Sequence, residues 1–165
     1  MAKIKRVAVV GSEEKYWTPE SKSSAIKRIR DILEGETPTI WLDPKDGPIQ
    51  DYSSIVLVSG GCPKGGVDIW AEVVADSLGI KKEIYLPEIN QWSDYNREYA
   101  GGEGWIQTEV HKKGYKSRNI EIATNCDVLY CIDPKDCDYS GGRWTMNYAK
   151  GLGKKAILIL ILEKI

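Results

Sequence analysis

The sequence predicts an α/β fold: a doubly wound, mainly parallel sheet of about five or more strands, with helices on both faces making three layers. Three observations carry that expectation. Short unbroken apolar runs, Val7-Ala8-Val9-Val10, Ile55-Val56-Leu57-Val58, Val128-Leu129-Tyr130-Cys131-Ile132 and Ala156-Ile157-Leu158-Ile159-Leu160-Ile161-Leu162, have the length and β-branched character of strands buried on both faces. Between them lie segments whose apolar residues recur at three and four residue intervals, as on one side of a helix. Two of the strand-to-helix connections are glycine-rich, Ser59-Gly60-Gly61 and Ser140-Gly141-Gly142.

Taken in order, residues 6–11 read as the first strand, emptying through Gly11 and Ser12 into a polar loop that passes Trp17, Thr18 and Pro19. Residues 21–35 read as a helix with Ala25, Ile29, Ile32 and Leu33 on one face and Lys27, Arg28 and Arg30 outside. Residues 36–52 are rich in Pro, Gly and Asp and hold only Ile40-Trp41-Leu42 as an apolar cluster, so they read as a loop with a short extra strand. The strand at 55–58 stops at Ser59. Strands joined by a single helix usually lie side by side, which makes this strand the expected neighbour of the first.

Ser59-Gly60-Gly61 and Lys64-Gly65-Gly66 bracket Cys62-Pro63, and the helix that follows buries Val67, Trp70, Ala71, Val74, Ala75 and Leu78 before Gly79 ends it. Residues 82–86 read as another strand, closed by Pro87. Residues 88–115 change character. They carry Trp92, Tyr95, Tyr99 and Trp105 among polar residues, with Gly101, Gly102 and Gly104, and read either as a lid over the strand ends or as an aromatic patch for self-association. His111 within them reads as a surface residue beside Lys112 and Lys113.

Residues 116–125 form a short helix with Ile120 and Ala123 inward, and residues 127–132 a further strand leading into an acidic loop, 133–139. The next helix starts at Ser140-Gly141-Gly142, carries Met146, Ala149 and Leu152, and is closed by Gly151 and Gly153. Residues 156–162 are the most apolar run and are expected to be a central or fully covered strand. Residues 1–165 read as one domain.

The formal net charge of −1 gives no overall pull toward nucleic acid or an anionic membrane. The N-terminus lacks a signal pattern and residues 156–162 are too short to span a bilayer, so a soluble cytoplasmic protein without membrane partners is expected. Four cysteines without C-x-x-C spacing and a single histidine argue against a structural zinc site or a disulfide framework. No metal and no cofactor is expected. Cys126 and Cys131 read as buried and inert, whereas Cys62, in a turn at a helix N-terminus, is a candidate for a thiol of lowered pKa.

Chemistry enters at the glycine-rich turns. Glycine leaves main-chain amides uncovered, and the first amides of a helix, at the positive end of its dipole, receive phosphate or another anion. Lys64 adds a full positive charge. In a doubly wound sheet ligands bind beyond the carboxyl ends of the strands where the strand order reverses, and both turns fall at such ends.

The pattern Ser59-Gly60-Gly61, Lys64-Gly65-Gly66-Val67-Asp68 and Ala71, followed by Lys116-Ser117-Arg118-Asn119, Asp127 and Ser140-Gly141-Gly142 with Thr145 and Ala149, resembles the SLOG superfamily along nearly the whole chain. That group includes the DNA-processing protein A domain, the cytokinin-activating phosphoribohydrolases often called lysine decarboxylase-like, and molybdenum cofactor carrier proteins. The resemblance implies a Rossmann-like sheet that holds a nucleotide, or a molecule derived from one, between the two turns. The expected ligand-binding residues are Gly11, Ser12, Ser59, Gly60, Gly61, Lys64, Gly65, Gly66, Asp68, Arg118, Asn119, Ser140, Gly141, Gly142 and Thr145. Arg118 is expected to supply counter-charge.

In the phosphoribohydrolases an arginine ahead of the fourth strand and a glutamate in a Pro-Gly-Gly-x-Gly-Thr-x-x-Glu motif serve cleavage of the N-glycosidic bond. Arg118 matches the first, but this chain has Ser140 for the proline, Trp144 for the third glycine and Asn147 in place of the acid. An amide cannot accept a proton as a carboxylate does. Binding therefore ranks ahead of hydrolysis, for which Arg118 and Glu72 are the catalytic candidates and Asp68 reads more readily as a brace of its turn. Residues 66–71 and Arg118-Asn119 are nearest the DNA-processing protein A pattern; single-stranded DNA binding would draw on Lys64, Lys112, Lys113, Lys116, Arg118 and Arg143 with Trp92 and Trp105. The resemblance also implies a homodimer.

Overall fold

The computed structural model describes residues 3–41, 45, 47–92 and 114–162. The strands and helices alternate: β1 (Lys5–Gly11), α1 (Pro19–Glu36), β2 (Thr39–Trp41), β3 (Pro48–Gln50), β4 (Ile55–Ser59), α2 (Val67–Leu78), β5 (Lys81–Ile84), α3 (Tyr115–Asn125), β6 (Val128–Pro134), α4 (Gly141–Gly151) and β7 (Lys155–Ile161). The local signals account for most boundaries. Thr18 and Ser21 cap α1 reciprocally, with Pro19 in its first turn. Gly79 ends α2 in the left-handed conformation, φ +74°.

Five strands form one sheet in the order β5-β4-β1-β6-β7, and every pairing in it is parallel. β1 is central: Val7 is paired with Leu57 on one side and Val128 on the other. From β1 the chain first winds outward through β4 and β5, then returns to build β6 and β7 on the opposite flank. The order therefore reverses at β1 and β6, and a crevice is expected beyond their carboxyl ends.

Alternation along the strands divides the core into two halves. Val7, Val9, Ile55 and Leu57 pack with Ala25, Ile29 and Leu33 of α1 and Trp70, Ala71 and Val74 of α2. Ala8, Val10, Val58, Leu129 and Cys131 face the other way, toward Ile122 and Ala123 of α3 and Met146 and Ala149 of α4. This is a three-layer, Rossmann-like arrangement. No helix among the described residues is long and apolar enough to cross a membrane.

The structure departs from the sequence reading in three places. Residues 156–162 do not form a central or fully covered strand. β7 is the last strand of the sheet, and Leu158, Leu160 and Leu162 are 37%, 43% and 60% exposed. A run of apolar residues specifies a strand but not how many neighbours it has. The segment read as a loop with one extra strand holds an antiparallel hairpin, with Ile40 opposite Ile49. In α3 the buried apolar residues are Ile122 and Ala123, while Ile120 is half-buried, because the turn before them faces inward with Ser117, Arg118 and Asn119. The lid and patch readings of the 88–115 segment, with His111, fall almost wholly on residues 93–113, outside the described residues.

Candidate functional site

Where the strand order reverses, a cavity of about 300 Å³ opens beyond the ends of β1 and β6. Its floor is Val10, Gly11 and Ser12. One wall is the start of α4, Ser140-Gly141-Gly142 with Thr145; the other is Cys62, Lys64 and Asp68 from the turn after β4 and the first turn of α2. α3 contributes Tyr115, Arg118, Asn119 and Ile122, a helical stripe spaced three, four and seven residues from its first member. Glu13, Tyr16, Trp92 and Tyr139 complete the lining.

Glycine is required at the seams of this site. A Cβ at Gly142 would lie 2.7 Å from the Gly11 nitrogen, and one at Gly11 only 2.0 Å from the Ile132 carbonyl oxygen. α4 thus starts hard against the end of β1. Gly66 has φ +95° and ψ −152°, a region that side chains rarely adopt, and a Cβ there would sit 2.3 Å from the Ser12 carbonyl oxygen. That approach lets the Val67 amide donate to Ser12 O at 3.3 Å, which ties α2 to the end of β1.

The hydroxyl groups around the cavity are already engaged. Ser12 Oγ donates to Asp133 Oδ1 at 2.7 Å, and Ser140 Oγ donates to Asp133 Oδ2 at 3.1 Å while accepting from the Arg143 amide as the N-cap of α4. Thr145 Oγ1 donates to Gly141 O at 2.9 Å. Asp133 is fully buried, and Arg143 Nε reaches it at 2.7 Å. The same guanidinium donates to Asp138 O at 2.7 Å and to Cys137 O, so the acidic loop folds around Arg143. What α4 still offers a ligand is its main chain: the Gly141 and Gly142 amides are the first two of the helix and have no intrahelical acceptor.

On the other wall Arg118 is only 6% exposed. Its Nε donates to Asn119 Oδ1 at 2.8 Å, its Nη1 to Gly60 O at 2.5 Å, and the guanidinium lies 5.3 Å from the centre of the Tyr115 ring. Asp68, 8% exposed, stands beside it. Burial pushes the Asp68 carboxyl up to about 6; the Arg118 charge opposes that rise and Glu72 adds to it. Lys64 Nζ is 3.7 Å from Glu13 Oε1, so the lining carries Lys64 and Arg118 against Glu13 and Asp68.

Gly11, Ser12, Lys64, Asp68, Arg118, Asn119, Ser140, Gly141, Gly142 and Thr145 all meet at this cavity, as the sequence reading expects. Ser59, Gly60, Gly61, Gly65, Gly66 and Glu72 are not part of its lining. Ser59 is fully buried and donates to Glu72 Oε2 at 2.9 Å, so Glu72 braces the end of β4 instead of facing a substrate. Gly60 is covered by Arg118, Gly61 by Leu86 and Ile84, and Gly65 by Glu14. Asp68, read as a brace, is with Glu13 one of the two carboxylates on the lining. Cys62 is a lining residue, but burial pushes its thiol pKa up, the reverse of an activated nucleophile.

Sequence reading misses Val10, Glu13, Tyr16, Tyr115, Ile122 and Tyr139. The signal for two of them is the stripe that Tyr115 and Ile122 share with Arg118 and Asn119. Trp92 enters the sequence reading within the lid or self-association patch and as a base-stacking residue for DNA; here it lines the cavity, with its ring edge-on to Trp144 at 4.9 Å, and Trp144 stacks on Tyr148 at 5.4 Å. Of the groups invoked for single-stranded DNA, Arg143 is committed to Asp133, and Lys112, Lys113 and the aromatic Trp105 lie outside the described residues. Among the described residues no cluster of His, Cys, Asp and Glu is arranged to hold a metal ion. Compared with protein-family models, curated proteins and solved structures, the chain matches none of them.

Proposed function

We propose that the protein binds a nucleotide, or a phosphorylated small molecule derived from one, in the cavity at the ends of β1 and β6. One observation carries this reading: the uncommitted amides of Gly141 and Gly142 at the positive end of α4 share a cavity with the exposed aromatic rings of Trp92, Tyr16 and Tyr139. The amides suit a phosphate and the rings suit a base. A volume of about 300 Å³ is at the lower end of the range for small-molecule sites. The resemblance to the SLOG superfamily points to the same class of ligand.

Calorimetric titration with nucleoside mono-, di- and cyclic phosphates tests it, with ribose 5-phosphate and unphosphorylated nucleosides as the half-ligands. Binding is expected only when base and phosphate are joined. Trp92→Ala is expected to weaken it roughly tenfold through lost stacking. No heat from any of these compounds at millimolar concentration would sink the reading.

A second reading, cleavage of the base–ribose bond of a nucleoside monophosphate, is favoured by Asp68. A buried carboxyl that titrates at about 6 inside the cavity can be protonated near neutral pH. In this reading it gives its proton to the departing base as the C1′–N bond breaks. A water then adds its hydroxide to C1′ and returns a proton to the Asp68 carboxylate. Release of free base from AMP, abolished in Asp68→Asn with AMP binding retained, is the expected outcome; intact AMP after prolonged incubation leaves binding alone.

A further inference from the structure

Asn119 faces the start of α4 with a donor to spare. It is 6% exposed, yet it lines the cavity. Arg118 Nε can only donate, and it reaches the Asn119 side chain at 2.8 Å, so the atom turned toward it is the acceptor Oδ1 and the amide is held from flipping. Nδ2 is left over, and among the described residues it has no acceptor. The nearest atom to a Cβ built on Gly141 is this same Nδ2, at 3.9 Å. A buried amide nitrogen without a partner, set beside the open amides of Gly141 and Gly142, calls for an acceptor between them. The charges around this seat cancel. Lys64 Nζ lies 3.7 Å from Glu13 Oε1. Arg118 spends Nε on Asn119 and Nη1 on Gly60 O, and Asp68 Oδ2 stands beside it: a Cβ on Gly60 would meet Nη1 at 2.5 Å and Asp68 Oδ2 at 3.0 Å. Arg143 is held by Asp133. Among the described lining residues, therefore, each cation has an acid next to it.

We propose that the phosphate seat is a cradle of uncharged donors, the Gly141 and Gly142 amides with Asn119 Nδ2, and that it selects a singly charged phosphodiester of a nucleoside over a doubly charged monoester. The inference rests on the nucleotide reading above and narrows it to one ligand class. A helix N-terminus offers about half an elementary charge, which answers one negative charge and leaves a second without compensation. Glu13 and Asp68 on the same lining oppose that second charge directly. A cavity of about 300 Å³ suits a single nucleotide, so a cyclic nucleoside monophosphate is the expected form. Arg118 acts here as a positioning residue. It fixes which way the Asn119 amide points, and its own hydrogen bonds run to Asn119 and to the Gly60 carbonyl.

Calorimetric titration of the full chain at about pH 8 separates the charge states, because a phosphate monoester loses its second proton near pH 6 and a diester has none to lose. For each of the common bases, the nucleoside 5′-monophosphate is compared with its methyl ester and with the 3′,5′-cyclic nucleotide. The two diesters are expected to bind about tenfold more tightly than the monoester. Glu13→Gln leaves Lys64 without its acid and is expected to narrow that gap about threefold by improving the monoester. Asn119→Asp keeps an acceptor for Arg118 but puts a charge where the donor was, and is expected to weaken the diesters roughly tenfold or more. Circular dichroism checks that each variant is folded; should one fail, the comparison of monoester with diester on the unmodified chain decides alone. A monoester that binds as tightly as its diesters, a gap untouched by a folded Glu13→Gln, or a folded Asn119→Asp that binds diesters as well as the unmodified chain would each overturn the proposal and leave nucleotide binding standing. Silence from every compound would remove the nucleotide reading and this one with it.

Discussion

Asp133→Ala should lower the stability of the fold by about 4 kcal/mol, read as a fall in the urea midpoint at constant slope. The carboxylate has no access to solvent and satisfies four donors at once, the hydroxyls of Ser12 and Ser140, the Cys131 thiol and the Arg143 guanidinium, which is itself only 18% exposed. Removing it strands a largely buried cation and leaves two hydroxyls without their acceptor, the circumstance in which breaking an ion pair costs most. Asp133→Asn keeps the shape and one acceptor and should lose less. Ser12→Ala and Ser140→Ala should each cost about 1 kcal/mol, and combining them should not be additive, because both hydroxyls converge on one carboxylate. A loss below about 1 kcal/mol for Asp133→Ala would mean that water or another group takes over the acceptor role.

Asp68→Asn should do the opposite and stabilise the protein at neutral and alkaline pH. The folded carboxyl titrates at about 6 against an ordinary value of 3.8, so between those values the native state holds a proton that the unfolded chain has released. Stability from this group is therefore present in acid and lost as pH rises through about 6. The gap corresponds to about 3 kcal/mol, at 1.36 kcal/mol per pH unit. The groups that act on Asp68 are Arg118 from α3, Glu72 from its own helix and the Cys62 amide of the preceding turn, with Lys64 and Glu13 also on the lining. None of these replaces the hydration lost on burial.

The same titration reaches the ligand. A cyclic nucleoside phosphate, whose single charge does not titrate in this range, should bind more tightly as pH falls through about 6, and the dependence should vanish in Asp68→Asn. Equal pH profiles for the two proteins would remove Asp68 from the electrostatics of the site.

Much of the fold was legible from two periodicities. The α1 face of Ala25, Ile29, Ile32 and Leu33 and the α2 face from Val67 to Ala75 are buried as their spacing predicts. So was the meeting of the strand ends, since parallel β1, β4 and β6 must all open on the same side. What could not be read was commitment. Ser12, Ser59 and Ser140 look like ligand contacts in one dimension, yet their hydroxyls are engaged by Asp133 and Glu72, residues seven to 121 positions away whose approach only packing decides. Gly60 and Gly65 looked open for the same reason: what covers them, Arg118 and Glu14, comes from other parts of the chain. The edge position of β7 was hidden because buried and half-covered strands of leucine and isoleucine share one composition.

The column of rings formed by Trp92, Trp144 and Tyr148 gives the molecule an optical gauge of its own. Two indoles in edge contact couple their ultraviolet transitions, and the coupling depends on their mutual tilt. A planar guest lying against Trp92 would shift that tilt and screen the ring from solvent. Occupancy would then register in near-ultraviolet ellipticity and in tryptophan emission, with no label attached.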